Sequence, residues 1–251
     1  MTVGVFCEEK RERVTFEQCI DCAKCLPAPI IKNLRIFENK PLRNVYYLRE
    51  VIGCLRRAYY ERKTPADNFQ TLRSLYSRKR GELFGGITGS KGWQELDCVV
   101  DFNVDNEPVK LSARLDCYDP KQHGITELKS MEGVFDRELP REKDVLQVQC
   151  YGTIFKSAIG GLVSWLRLLY LDMNEFVQIH IEQRDMSQWL KERVYTLHRA
   201  VRDSKLPGEE ISQDCKYCAH KTKCIVVKPM IPNSKLFRNK GEIREGYYGA
   251  K

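Results

Sequence analysis

The chain has 251 residues, 42% of them hydrophobic, enough for one sizeable core or one core with a small appendage. Its 42 Lys and Arg against 34 Asp and Glu leave a formal net charge of +8, which suits a polyanionic partner as well as a plain solvated surface. No run of about 18 apolar residues exists to form a membrane span. Met1–Phe6, followed by Cys7 and charged residues, does not read as a secretory leader, so the expected setting is cytoplasmic.

Residues 1–30 read as a loop-rich, metal-stapled module ending at Pro27 and Pro29. They hold Cys7 and then Cys19, Cys22 and Cys25, with two residues between each of these three and the next. A CxxC turn lets two thiolates face one ion, so this quartet can close a site unaided. Structural Zn²⁺ is the first expectation and a second iron–sulfur centre the alternative. Disulfides are disfavoured where no secretion signal is seen.

The spacing of Val45, Leu48, Val51, Ile52, Leu55 and Tyr59 predicts a helix over 44–63, with Asn44 as N-cap. It carries Cys54, Arg56 and Arg57. A second, basic helix is predicted over 67–83, broken by Gly85 and Gly86. The period then changes. Leu96–Val104, Val109–Tyr118 and Gly124–Ser130 are strand-like runs separated by turn residues. Asp144–Ala158 reads as a helix, Leu162–Leu171 and Glu175–Ile181 as strands, and Asp185–Ser204 as a long amphipathic helix ending before Pro207. Cys215, Cys218 and Cys224 follow, then a basic tail over 225–251. The expected segments are a cysteine-rich module (1–30), a helical region (31–95), an α/β core (96–205) and a cysteine-bearing C-terminal segment (206–251).

The C-terminal trio supplies three thiolates where a tetrahedral ion or cluster wants four. Cys54 is the best candidate for the fourth. Cys98, Cys117 and Cys150 lie inside apolar patterns, where a lone cysteine is usually a small core residue.

The central chemistry lies in Asp116 and in Glu127-Leu128-Lys129. Residues two apart on a strand share a face, so Glu127 and Lys129 project together. Asp116 reaches the same point if its strand pairs with theirs. Two converging carboxylates form a hard-oxygen site for Mg²⁺ or Mn²⁺. A neighbouring lysine can orient a water and stabilise charge developing on phosphate, as phosphodiester hydrolysis requires. Gln147 and Tyr151, four apart on the next helix, can hydrogen-bond a phosphate oxygen or a metal-bound water.

In this order and at these intervals, Cys54 with Arg56 and Arg57, Asp116, Glu127-x-Lys129, Gln147-xxx-Tyr151 and Cys215-xx-Cys218-x5-Cys224 resemble the CRISPR-associated RecB-type iron–sulfur exonuclease family. The resemblance covers roughly residues 44–224. It implies an α/β restriction-endonuclease-like (PD-(D/E)xK) core with a mixed central sheet, flanking helices and an iron–sulfur-stapled helical subregion. It further implies Asp116 and Glu127 as Mg²⁺ or Mn²⁺ ligands, Lys129 as catalytic lysine, Gln147 and Tyr151 as the pair on the following helix, and a [4Fe-4S] cluster on Cys54, Cys215, Cys218 and Cys224. Arg56 and Arg57 would grip DNA phosphates. The implied role is trimming or selecting prespacers, as single-stranded DNA or DNA ends, beside the CRISPR integrase.

One family feature has no counterpart. The upstream histidine ligand is missing, since the four histidines are His123, His180, His198 and His220. Glu82 is the carboxylate in the corresponding region. His123 precedes the Glu127 strand, and His220 is expected as a donor beside the cluster cysteines. A catalytically silent DNA-binding scaffold of the same fold is therefore a competing expectation, with an iron–sulfur redox protein as the third.

Overall fold

The computed structural model describes residues 4–34, 42–64, 70–86, 94–131, 133–134, 138–172, 175–212, 214–215, 218–221 and 223–224. In chain order the elements are β1 (Val5–Cys7), β2 (Glu12–Val14), α1 (Phe16–Cys22), α2 (Ala28–Leu34), β3 (Val45–Tyr47), α3 (Leu48–Ile52), α4 (Leu55–Lys63), β4 (Gln70–Thr71) and α5 (Leu72–Gly86). They continue with β5 (Gln94–Val104), β6 (Glu107–Asp119), β7 (Gly124–Ser130), α6 (Glu142–Ile159), β8 (Trp165–Leu171), β9 (Phe176–Ile181) and α7 (Ser187–Asp203). The chain divides into two compact units, one of Met1–Arg43, Gly53–Glu82 and Thr196–Val227, the other of Asn44–Ile52, Leu83–Tyr195 and Lys228–Lys251. Among the described residues no helix is long and apolar enough to cross a membrane.

The second unit is built on a six-stranded mixed sheet of order β3-β6-β7-β8-β9, with β5 also paired to β6. β5 and β6 form a long antiparallel hairpin closed at Val104 and Glu107. Both turn residues, Asp105 and Asn106, have positive φ (51° and 67°), the conformation of a two-residue turn that matches strand twist. On β6 Val109, Leu111, Ala113, Leu115 and Cys117 are buried while Lys110 and Arg114 are exposed, the period-two pattern of a strand with one covered face. β7 pairs antiparallel with β6 and parallel with β8. It is central, and Gly124–Glu127 are all buried. The parallel step needs a crossover, which α6 provides. α6 ends at Gly160 (φ 72°), a left-handed cap glycine whose N–H returns to the Lys156 carbonyl. It lies close on β8, where a Cβ at Gly152 would meet Leu166 at 3.2 Å.

The segment 44–63 is not one helix. Val45–Tyr47 forms an edge strand parallel to β6, and Asn44 does not cap but turns the chain at φ 60°. The Tyr47 N–H donates to the Glu50 carboxylate (2.7 Å) as α3 begins. Gly53 and Cys54 then interrupt the helix before α4, and Cys54 is extended (φ −67°, ψ 120°). The three-to-four spacing is real on both sides of the break, with Leu48, Val51, Ile52, Leu55 and Ala58 buried. Strand pairing overrode it at the start. The helix predicted over 67–83 begins at Leu72, where the Thr71 hydroxyl accepts from Ser74 N–H (3.1 Å).

The first unit contains more regular structure than a metal-stapled loop. β1 pairs antiparallel with β2 and parallel with β4. α1 opens with a capping box, the Thr15 hydroxyl accepting from Gln18 N–H and the Gln18 side chain from Thr15 N–H. Pro29 sits in the first turn of α2, where proline is tolerated, so it starts an element rather than ending one. Val5, Phe16, Ile31, Leu34 and Leu75 make a small core against which Cys19 and Ile20 pack.

Candidate active site

The β6–β7 ladder runs only through Cys117–Asp119 and Gly124–Thr126. Beyond it the Asp116 side chain takes over, its Oδ2 accepting from the Leu128 backbone N–H at 2.9 Å. This ties Asp116 to the strand that carries Glu127 and Lys129. Lys129 Nζ donates to Glu127 Oε1 (2.5 Å) and to Gln147 Oε1 (2.8 Å). Gln147 Nε2 donates in turn to the Tyr151 hydroxyl (2.8 Å). Gln147, Tyr151 and Phe155, spaced by four, form one stripe of α6, and Phe155 packs on Tyr118 of β6 with ring centroids 4.5 Å apart. Sheet register and helix period thus deliver five polar residues from three elements to one place.

That place is largely dry. Glu127 is 2% exposed, and its Oε2 is buried with no hydrogen-bond donor among the described residues. Burial pushes its carboxyl well above the usual range; Lys129 pulls it down, and Asp116 beside it pushes it further up. Lys129 is itself held above its ordinary value: Glu127, then Asp144 and Asp116, outweigh the burial that would lower it. Burial drives the Tyr151 phenol strongly upward, with the Glu127 and Asp116 carboxylates adding to it. Adjacent carboxylates, a lysine and an unpartnered buried oxygen make an all-oxygen donor pair that fits a hard divalent cation. Among the described residues no group of three or more His, Cys, Asp and Glu side chains is arranged to hold a metal ion.

The sequence did not single out Asp144, Arg141 or Tyr170, which extend the network. Asp144 Oδ2 accepts from Arg141 Nε (2.7 Å) and from the Tyr170 hydroxyl (2.9 Å), and its Oδ1 lies 3.8 Å from Lys129 Nζ. The signal available was helical spacing: Asp144, Gln147 and Tyr151 fall at i, i+3 and i+7 on one face.

None of the eleven cysteines is paired in a disulfide. Cys98, Cys117 and Cys150 are buried in the core, and burial pushes the Cys150 thiol up to about 12. Cys54 is the N-cap residue of α4 yet makes no side-chain cap bond. Glu210 caps instead, its Oε2 accepting from Leu55 N–H (3.1 Å). Burial raises the Cys54 thiol, the Arg57 and Arg56 backbone N–H groups offset part of this, and Glu210 and Cys215 add to the rise. Cys215 Sγ accepts from Ser212 N–H (3.4 Å), and Cys224 Sγ from Arg56 Nη1 (3.8 Å). In the N-terminal quartet the Cys19 thiol is raised by burial and then by Cys25, Cys7 and Cys22.

Arg56 is engaged internally. Besides Cys224 it donates to the Pro207 carbonyl (2.8 Å) and to Glu209 (3.3 Å), and so staples α4 to the segment after α7. Arg57 points outward, half exposed, and pairs with Glu61 at 2.7 Å. His220 is buried and stacked on Tyr60, ring centroids 5.4 Å apart, while the Tyr60 hydroxyl donates to the Lys223 carbonyl. His123 holds the turn before β7 (φ 53°), with its Nδ1 3.3 Å from the Tyr118 hydroxyl. The Glu82 side chain and residues 225–251 lie outside the described residues.

Among solved structures the chain resembles SSO0001, with a TM-score of 0.55 and 17% sequence identity over 84% of this chain and 94% of that one. At that identity the likeness is one of fold: a mixed α/β architecture with a mixed central sheet and flanking helices. LHK-Exo in complex with dAMP aligns over 60% of this chain and 78% of that chain at 14% identity and a TM-score of 0.39, too slight to support an argument. No protein-family model and no curated protein matches the sequence.

Proposed function

We propose that the chain is a divalent-metal-dependent deoxyribonuclease of the PD-(D/E)xK type, a RecB-type exonuclease of CRISPR adaptation. The observation that carries the reading is the convergence of Asp116, Glu127, Lys129, Gln147 and Tyr151 in one part-buried group, with Asp116 joined through the Leu128 N–H and the other four hydrogen-bonded in a chain. Taking Glu127 and Tyr151 fully, and three further polar side chains partly, out of water costs stability, and active sites are where proteins retain that cost. Asp116 and Glu127 would hold Mg²⁺ or Mn²⁺, which supplies Lewis-acid polarisation of the scissile phosphate. Lys129 lies beside the charge that develops in the transition state, and Gln147 and Tyr151 orient the lysine and the phosphate oxygens. Cys54, Cys215, Cys218 and Cys224 would hold a [4Fe-4S] cluster, and Cys7, Cys19, Cys22 and Cys25 a Zn²⁺ ion or second cluster. The substrate is DNA, single-stranded or with single-stranded ends, met as prespacers beside the CRISPR integrase in the cytoplasm. Of Arg56 and Arg57, Arg57 is the exposed one, and it would exchange Glu61 for a phosphate.

A second reading, a silent DNA-binding scaffold of the same fold, is favoured by one observation: no histidine lies between Cys54 and Asp116. Cleavage of single-stranded DNA with Mg²⁺ and with Mn²⁺ separates the two. Glu127→Ala and Lys129→Ala are expected to lower the rate by about 10²–10³-fold. A wild-type protein inert with every divalent ion is a scaffold.

A further inference from the structure

We infer that Asp144 is a positioning residue that acts through Lys129, an inference that rests on the nuclease reading for its effect on rate but not for its effect on the lysine. The Lys129 ammonium has three N–H donors. Two are taken by Glu127 Oε1 and Gln147 Oε1. Asp144 Oδ1 stands 3.8 Å away, beyond hydrogen-bond reach but close enough to act as a charge. The ammonium therefore sits between two carboxylates that reach it from different elements, β7 and the first turn of α6. Asp144 is itself 5% exposed and fixed in direction, because its other oxygen takes both the Arg141 and Tyr170 donors. Tyr170 is fully buried and stands in register beside Lys129 on the neighbouring strand. Its hydroxyl accepts from Arg141 N–H (3.2 Å), so Arg141 holds both partners of the clamp.

Glu127 alone would pull the lysine wholly toward itself. With Asp144 and Gln147 on the other side, the ammonium keeps its place when the Glu127 carboxylate is engaged elsewhere. Misplacement of a reacting group by even about 1 Å can cost on the order of 10²-fold in rate. The bland alternative is that Asp144 merely stabilises the positive end of α6 and closes a structural ion pair with Arg141.

The test is a double-mutant cycle of kcat and KM on a single-stranded oligonucleotide with Mn²⁺, using Asp144→Asn, Lys129→Met and the pair. Asp144→Asn alone should lower kcat about tenfold with KM nearly unchanged, and in the Lys129→Met background it should cost nothing further. Losses that multiply in the double variant, or a change confined to KM, overturn the inference. Tyr170→Phe keeps the carboxylate and removes one of its supports. It should lower kcat by about two- to fivefold, again only when Lys129 is present, and it serves if Asp144→Asn fails to fold. A second readout needs no cleavage: the side-chain NMR resonance of Lys129, assigned by its loss in Lys129→Met. It should move toward the position of an exposed lysine in Asp144→Asn and Tyr170→Phe, and an unmoved resonance overturns the inference even in a protein that cleaves nothing. Inactivity of the wild type with the resonance shift intact sinks the nuclease reading alone.

Discussion

The carboxylate–lysine site and the cysteine groups are assembled in opposite ways. Around Lys129 the polypeptide does the positioning. Asp116, Glu127, Gln147, Tyr151, Asp144 and Tyr170 bond to the backbone, to Lys129 or to one another, and Glu127 Oε2 is the buried oxygen of this group left without a partner among the described residues. Around Cys54 and the C-terminal trio the thiols are half-buried, and what joins the chain segments is other chemistry: Arg56 on Pro207 and Glu209, Glu210 on Leu55, Tyr60 on Lys223. The difference follows from what each group loses on leaving water. A buried carboxylate or ammonium without partners is expensive, so its site must be prebuilt. A thiol is a weak donor and acceptor and loses little while it waits for a metal.

Metal loading breaks or sharpens that contrast most strongly. Cys54 and Cys215 are about 160 residues apart, and closing such a loop restricts the unfolded chain by roughly 4–5 kcal/mol in the entropy estimate. Cys54→Ser is therefore expected to lower the denaturation midpoint of metal-loaded protein by the equivalent of about 4 kcal/mol, with loss of iron and its visible absorption. The same substitution in metal-depleted protein should cost under about 0.5 kcal/mol. Equal effects in both preparations would mean that the chain, not a metal, holds this region. The sheet should respond to smaller insults whatever the metal. A Cβ at Gly124 would lie 1.9 Å from the Trp165 indole, so Gly124→Ala must part β7 from β8 and should cost about 1–3 kcal/mol. Gly208, after α7, has nothing within 4 Å of such a Cβ, and Gly208→Ala should shift the urea midpoint negligibly. A tolerated Gly124→Ala would show that the strand carrying Glu127 is less tightly set than its burial implies.

How much of this was legible depended on whether the signal was local. The alternation along β6 named that strand because one of its faces is covered, the short run 124–130 between turn residues named the central strand β7, and the i, i+4 pair Gln147 and Tyr151 named the helix face. Cys98, Cys117 and Cys150 stood out as core because they continue an apolar pattern. The strand at Val45–Tyr47 was not legible, since its reason is a partner 65 residues further on, Lys110–Ser112 of β6. The fold of residues 4–34 was half legible: Thr15 and Gln18 spell a capping box, but the cysteine spacing drew attention from it. Asp144 was overlooked because an acidic residue in the first turn of a helix already has an ordinary explanation; only the approach of Lys129 gives it another. Arg56 illustrates the same limit, because its carbonyl partner at Pro207 leaves no trace near it in the sequence.

The finest test of a prebuilt site is Glu127 Oε2, buried without a partner among the described residues. Burial holds the Glu127 carboxyl above the range in which it titrates in the unfolded chain, Asp116 adds to this, and Lys129 offsets only part of it. Between those two values the folded protein binds the extra proton, so its stability falls as pH rises through that window. The contribution is fully present below the unfolded value and gone above the folded one. Glu127→Gln mimics the protonated form at every pH. In chelator-treated protein it should raise stability at neutral pH by about 1 kcal/mol, a gain that fades as the pH is lowered into the carboxylate range. Urea midpoints between roughly pH 4 and 8 read this directly, as a slope present in the wild type and missing in the variant. A wild type that instead gained stability over the variant with rising pH would make the Lys129 ion pair, not desolvation, the dominant force. Adding Mn²⁺ should reverse the order, stabilising the wild type and leaving the variant where it was, because only an ionised Glu127 gives the cation a reason to bind.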